Sequence, residues 1–186
     1  MTLRLVLSKN DPLQTHFRLD GHTLYTSDTV YHSRPFHGSK ATTTVTRKDS
    51  SGDTLQVGVI EWPYNPNARP QVVVGTRSVE MIKTGLYTSP EKFKAIDGDM
   101  YEWQIHNHQA QLIPLRTHHS AAYIAIFMQS KTRSFLKRVT SGALFVPPEG
   151  CHILDDIIVT FIYFESQWRD KEYCRAHSSD FPGPMS

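Results

Sequence analysis

One segment near the C-terminal end constrains the fold more than any other. Residues 153 to 164 read Ile-Leu-Asp-Asp-Ile-Ile-Val-Thr-Phe-Ile-Tyr-Phe. Wound at 3.6 residues per turn, their apolar side chains surround the axis instead of forming a stripe, as expected of a helix contacted on all sides. The stretch from Cys151 to Arg175 is rich in β-branched residues, so strand is the competing reading. Length favours helix, as do Asp155 and Asp156 early, where they offset the positive end of the dipole, and Arg169, Lys171 and Arg175 late. A membrane span is the other rival, but the apolar run from Ile157 to Phe164 falls far short of the roughly 20 residues needed. The helix is therefore expected inside protein.

The preceding chain is patterned differently. Short apolar or β-branched runs alternate with turn residues up to about residue 150, reading as about ten or eleven strands. Leu3 to Ser8 opens the series. Asp20-Gly21 folds a hairpin within residues 17–25, because that dipeptide suits a type I′ turn. Residues 42–47 and 54–62 flank a polar turn, and the three prolines of Pro63, Pro66 and Pro70 mark an exposed loop. Residues 71–75 resume pairing, and 79–85 form a short edge element. Asp97-Gly98-Asp99 joins strands at 91–96 and 100–105, and runs at 112–116, 121–129 and 143–146 complete the set. At 186 residues the chain has the size of one domain. It is expected to span 1–176, with a loose tail at 177–186.

Charge and cysteines narrow the class. A net charge of +2 is too mild for a nucleic-acid binder, which shows a strongly basic face, so no nucleic-acid partner is expected. Cys151 and Cys174 sit at opposite ends of the helical segment, roughly 34 Å apart at ~1.5 Å per residue, and cannot pair within it. The N-terminus lacks the apolar core and cleavage site of a signal peptide. The expected home is a reducing cytoplasm, with peripheral membrane contact as an option.

Three stretches together resemble a known family: residues 5–13 (Leu-Val-Leu-Ser-Lys-Asn-Asp-Pro-Leu), residues 20–25 (Asp-Gly-His-Thr-Leu-Tyr) and residues 148–163, from Pro-Glu-Gly-Cys-His to Phe-Ile-Tyr. That family is a domain of unknown function abundant in mushroom-forming fungi. By strand order and closing helix the chain is also similar to the tubby-like group, with LURP-one-related proteins and phospholipid scramblases. The resemblance implies a closed antiparallel β-barrel threaded by its hydrophobic C-terminal helix. Some tubby-like proteins bind phosphoinositides and scramblases act on lipids, but no functional motif of either maps onto residues here.

Candidate chemistry comes from a few clusters. Lys131, Arg133, Lys137 and Arg138 surround Phe135 and Leu136 between two strands. Such a loop is either an ordinary solvated charge run or a contact for anionic headgroups, each cation adding about 1 kcal/mol near the surface. His106 and His108, with His118 and His119, invite a pocket or metal reading, yet no carboxylate or cysteine completes a zinc spacing. Asp155 and Asp156 read as dipole compensation in preference to an acid–base pair. No phosphate loop, nucleophile elbow or dinucleotide fingerprint is present, so no catalytic residue, metal or cofactor is assigned. The expected function is a non-enzymatic binding or scaffold domain contacting anionic lipid, phosphoinositide or a protein through residues 131–138. The alternative is a small enzyme or ligand carrier with a histidine-lined pocket at the barrel mouth.

Overall fold

Left-handed backbone sits where the sequence supplies residues that tolerate it. Asp20 and Gly21 take φ of 49° and 86°, the pair of positive values a two-residue type I′ hairpin requires. Asn107 and His108, at 50° and 61°, make the same turn without a glycine. The computed structural model describes residues 1–33, 39–49, 51–65, 67–85, 90–116, 122–129 and 142–178. Its strands are β1 (Leu3–Leu7), β2 (Thr15–Leu19), β3 (His22–Tyr31), β4 (Ser39–Lys48), β5 (Thr54–Pro63), β6 (Gln71–Val74) and β7 (Arg77–Val79). They continue with β8 (Ile82–Lys83), β9 (Glu91–Lys94), β10 (Met100–His106), β11 (Gln109–Pro114), β12 (Ala125–Met128) and β13 (Ala143–Val146). A 3-10 turn, Pro148–Ile153, leads into α1, Leu154–Ser178. Of the single edge element expected at 79–85, the structure has only the end of β7 and the two-residue β8, and the helix starts and ends about three residues later than its sequence pattern suggests.

All thirteen strands form one antiparallel sheet, ordered β7-β6-β5-β4-β3-β2-β1-β13-β12-β11-β10-β9-β8. The chain builds one half outward from β1, then returns to the other side of β1 with β13 and completes the second half. The sheet is not closed into a barrel, which corrects the expectation drawn from strand number and family resemblance. Closure would need backbone pairing between β7 and β8, the two edges. Only Glu80 and Met81 separate them, and neither is the Gly, Asn or Asp that a tight hairpin turn demands. The chain therefore passes from one edge to the other without folding back on itself. A side chain spans the opening instead: Arg77 of β7 donates to the Lys94 carbonyl of β9 at 2.8 Å.

The sheet curls around α1. Phe161 meets Phe17 of β2 edge-on, with ring centroids 6.1 Å apart, and Phe127 of β12 at 4.8 Å. Trp103 of β10 stacks on Phe164 at 5.8 Å and donates its indole N–H to Thr160 at 2.9 Å. Trp62 of β5 stacks on Tyr163. Strands from both halves of the sheet thus touch one helix, which is why its apolar residues surround the axis. Ile157, Ile158, Val159, Phe161 and Ile162 are all fully buried. Among the described residues no helix is long and apolar enough to cross a membrane.

Close approach of α1 to β5 needs a glycine. A Cβ on Gly58 of β5 would lie 2.4 Å from a Val159 methyl and 3.0 Å from the Val73 carbonyl. We expect Gly58→Ala to destabilise by about 2 kcal/mol, typical of core overpacking. Adding Val159→Ala should recover part of that loss in chemical denaturation; simple additivity of the two losses would contradict the contact.

Candidate functional site

Two aspartates open α1, and the sheet supplies a partner to each. Asp155 receives the Arg47 guanidinium from β4 at 2.9 Å to both carboxylate oxygens and the Tyr25 hydroxyl from β3 at 2.6 Å. Burial, reinforced by that carboxylate, holds the Tyr25 phenol far above its ordinary range. Asp156 is buried and ion-pairs with Arg77 of β7. Burial pushes its pKa above the ordinary carboxylate range, while Arg77 and the Ile96 backbone N–H pull the other way. Beside them, Asp97 accepts from Tyr101 at 2.7 Å and pairs with His152 at 2.9 Å. The two aspartates therefore offset the helix dipole, as the sequence suggests, and also fasten helix to sheet. Neither faces the other as an acid–base couple, because each is engaged by its own cation.

Further along the helix, a buried carboxylate of the sheet has incomplete partners. Glu91 of β9 is 1% exposed. One carboxylate oxygen accepts from the Tyr163 hydroxyl at 3.0 Å, and the other has no hydrogen-bond partner. Burial pushes the Glu91 pKa up, opposed by Tyr163 and by the charges of Lys171, Lys83 and Arg69. A carboxyl raised in the folded state stabilises fully below its unfolded value, near 4.3, and loses that contribution as pH rises through its folded value. Glu91→Gln should therefore gain on the parent by on the order of 1 kcal/mol between pH 4 and pH 7. A difference in unfolding free energy that does not change with pH would contradict this.

The sequence-selected residues are placed unevenly. Lys131, Arg133, Phe135, Lys137 and Arg138 lie outside the described residues, but their anchors are clear. The strands β12 and β13 pair at Met128↔Ala143, so residues 129–142 form the connection between them. Gly142 is held by the Leu7 backbone N–H at 2.9 Å. Gln129 reaches Glu165 of α1 at 3.3 Å, and Arg169 binds both Glu165 and Asn10. Gln129, the last described residue before the connection, thus sits beside the middle of α1. His106 and His108 are exposed at the β10–β11 turn. His118 and His119 lie outside the described residues; the described chain before them ends at Arg116, which pairs with Asp99 at the other end of that hairpin. Among the described residues no group of three or more His, Cys, Asp or Glu is placed to hold a metal ion. Cys151 and Cys174 are exposed free thiols.

A feature the sequence did not disclose lies where the loop after β5 meets the last turns of α1. There Trp62, Tyr64 and Pro70 face Gln167, Lys171 and Cys174 across a cleft of about 440 Å³, with Lys40 and Asp170 also lining it. The three prolines mark the loop in the sequence, but nothing in the sequence says that the helix end returns to it. A second hollow, of about 450 Å³, separates the β2–β3 and β4–β5 turns near His22 and Lys48.

Fold and site together define a single-sheet β domain built on a buried C-terminal helix, its charged interior groups engaged in joining helix to sheet. The chain belongs to a family of unknown function, DUF6593, whose model matches residues 10–170. No curated protein and no solved structure matches it.

Proposed function

We propose that the chain is a non-enzymatic binding domain that contacts anionic lipid through the β12–β13 connection. The observation that carries this reading is the length and composition of that connection. Residues 129–142 join two strands paired at their ends, where hairpins commonly use two to five residues, and they carry four cations around Phe135 and Leu136. Loops longer than packing requires are commonly functional. Kinship with the tubby-like group and a fungal setting belong to the same proposal, resting on the sequence resemblance and the buried helix. A protein partner on the same surface is the outcome to which a negative lipid result points.

Sedimentation with phosphatidylcholine vesicles, with and without phosphatidylserine or a phosphoinositide, tests the proposal. Binding should require the anionic lipid and weaken as salt screens it. Replacing Lys131, Arg133, Lys137 and Arg138 with alanine should abolish binding and leave the melting temperature nearly unchanged. Undiminished binding by that variant, or no binding by the parent, would overturn the lipid reading.

A further inference from the structure

We infer that the cleft between the loop after β5 and the end of α1 is a binding site for a neutral sugar, a pyranose whose ring hydroxyls are all equatorial. The site is separate from the β12–β13 connection and does not rest on the lipid reading.

The ring surfaces are fixed before any ligand arrives. Trp62 donates its indole N–H to Thr43 at 2.8 Å, and Thr43 is itself bonded to Thr29 at 2.7 Å. Tyr163 stacks on the same indole, with planes 11° apart and centroids 6.1 Å apart. Tyr64 donates its hydroxyl to the His32 carbonyl at 2.6 Å. The loop carrying these rings is tied by Asn65, whose side-chain oxygen accepts from the Asn67 N–H at 2.9 Å. With their polar ends engaged, Trp62 and Tyr64 offer the cleft their ring surface alone, with Pro63 and Pro70 beside them. Such a wall suits a ligand with a flat apolar face, and its preorganisation lowers the ordering cost of binding.

The charges of the cleft select no sign. Lys40 is matched by Asp170 in the lining, and the charge of Lys171 acts on the buried carboxylate of Glu91. The cleft therefore favours neither an anion nor a cation. It is polar all the same, because the side-chain NH2 groups of Asn65 and Gln167 and the Asp170 carboxylate line it, supplying donors and acceptors. A bare aromatic ligand would take water from these groups without pairing them, which is unfavourable. The ligand that fits is neutral, apolar on its face and rich in hydroxyls around its edge. An all-equatorial pyranose has that form, since axial C–H bonds cover both ring faces and the hydroxyls point outward. The volume of about 440 Å³ lies within the ~300–1,000 Å³ of small-molecule sites.

The test titrates the full chain with methyl β-glucopyranoside and with cellobiose by ligand-observed saturation-transfer NMR. Sorbitol, which has the hydroxyls without a ring face, and indole, which has the ring without hydroxyls, serve as comparisons. At least one of the two sugars should bind saturably, and at least fivefold tighter than either comparison. Tyr64→Ala and Asp170→Ala should each weaken that binding at least fivefold; both side chains are exposed, so the melting temperature should hold. Should Tyr64→Ala shift the melting temperature, Asp170→Ala alone decides. Absence of saturable sugar binding, equal affinity for sorbitol or indole, or full binding by Asp170→Ala would overturn the inference.

Discussion

A chain that stops at His152 should not fold. Removing α1 exposes the inner face of the sheet, because Ile157, Ile158, Val159, Phe161, Ile162, Tyr163 and Phe164 are each at most 1% exposed. Burying one such side chain contributes about 1.5–3 kcal/mol, so the seven together match or exceed the ~5–15 kcal/mol by which a typical domain is stable. The aromatic side chains Phe17, Trp103 and Phe127 would lose their ring partners and face a hollow that nothing else in the chain fills. Expression should give insoluble material, or a soluble form with no cooperative unfolding transition. A truncated chain that unfolds cooperatively in urea would show that the sheet has a core of its own.

Arg77→Ala should be the most damaging single substitution outside the apolar core. Its guanidinium is the cation for Asp156, whose side chain is 2% exposed, and it also reaches the Lys94 carbonyl across the opening of the sheet. Removing one member of a buried ion pair strands the other charge and costs about 3–5 kcal/mol, which lowers the melting temperature of a domain this size by roughly 6–20 °C. Adding Asp156→Asn should restore much of the loss, since the amide leaves no charge to strand. The deficit of Arg77→Ala alone should shrink as pH falls, because the buried Asp156 carboxyl, already raised by its surroundings, then takes up a proton. A deficit below about 1 kcal/mol, or one that Asp156→Asn deepens, would mean that the pair contributes no more than an exposed one.

How much of this was legible in the sequence depends on the range of the interaction. The helix could be read because periodicity is local: an apolar run with no polar face allows few surroundings. The hairpins at Asp20-Gly21 and around Gly98 could be read because positive φ at a turn leaves a residue signature. Sheet closure could not. It turns on whether two strands of three and two residues pair across Glu80-Met81, and a short strand carries too few side chains to declare its partner. Arg77 and Arg47 escaped notice for a related reason. Each lies well over a hundred or nearly eighty positions from its aspartate, and an arginine in a strand looks the same in sequence whether it meets water or a buried carboxylate. The cleft at Trp62 and Tyr64 depends on where the helix ends in space. Of the residues selected for function, His106 and His108 are exposed at a turn, and the basic stretch lies outside the described residues, between β12 and β13.

The claim on which the rest depends is that one helix is the centre of an open sheet, and residue-level hydrogen exchange under native conditions tests it most directly. Amides of residues 157–164 should exchange only through global unfolding, matching the free energy from urea denaturation, whereas those of β7 and β8 should exchange through much smaller openings. Helix amides that exchange well below the global value, with β7 and β8 as protected as the central strands, would contradict both the buried helix and the unpaired edges.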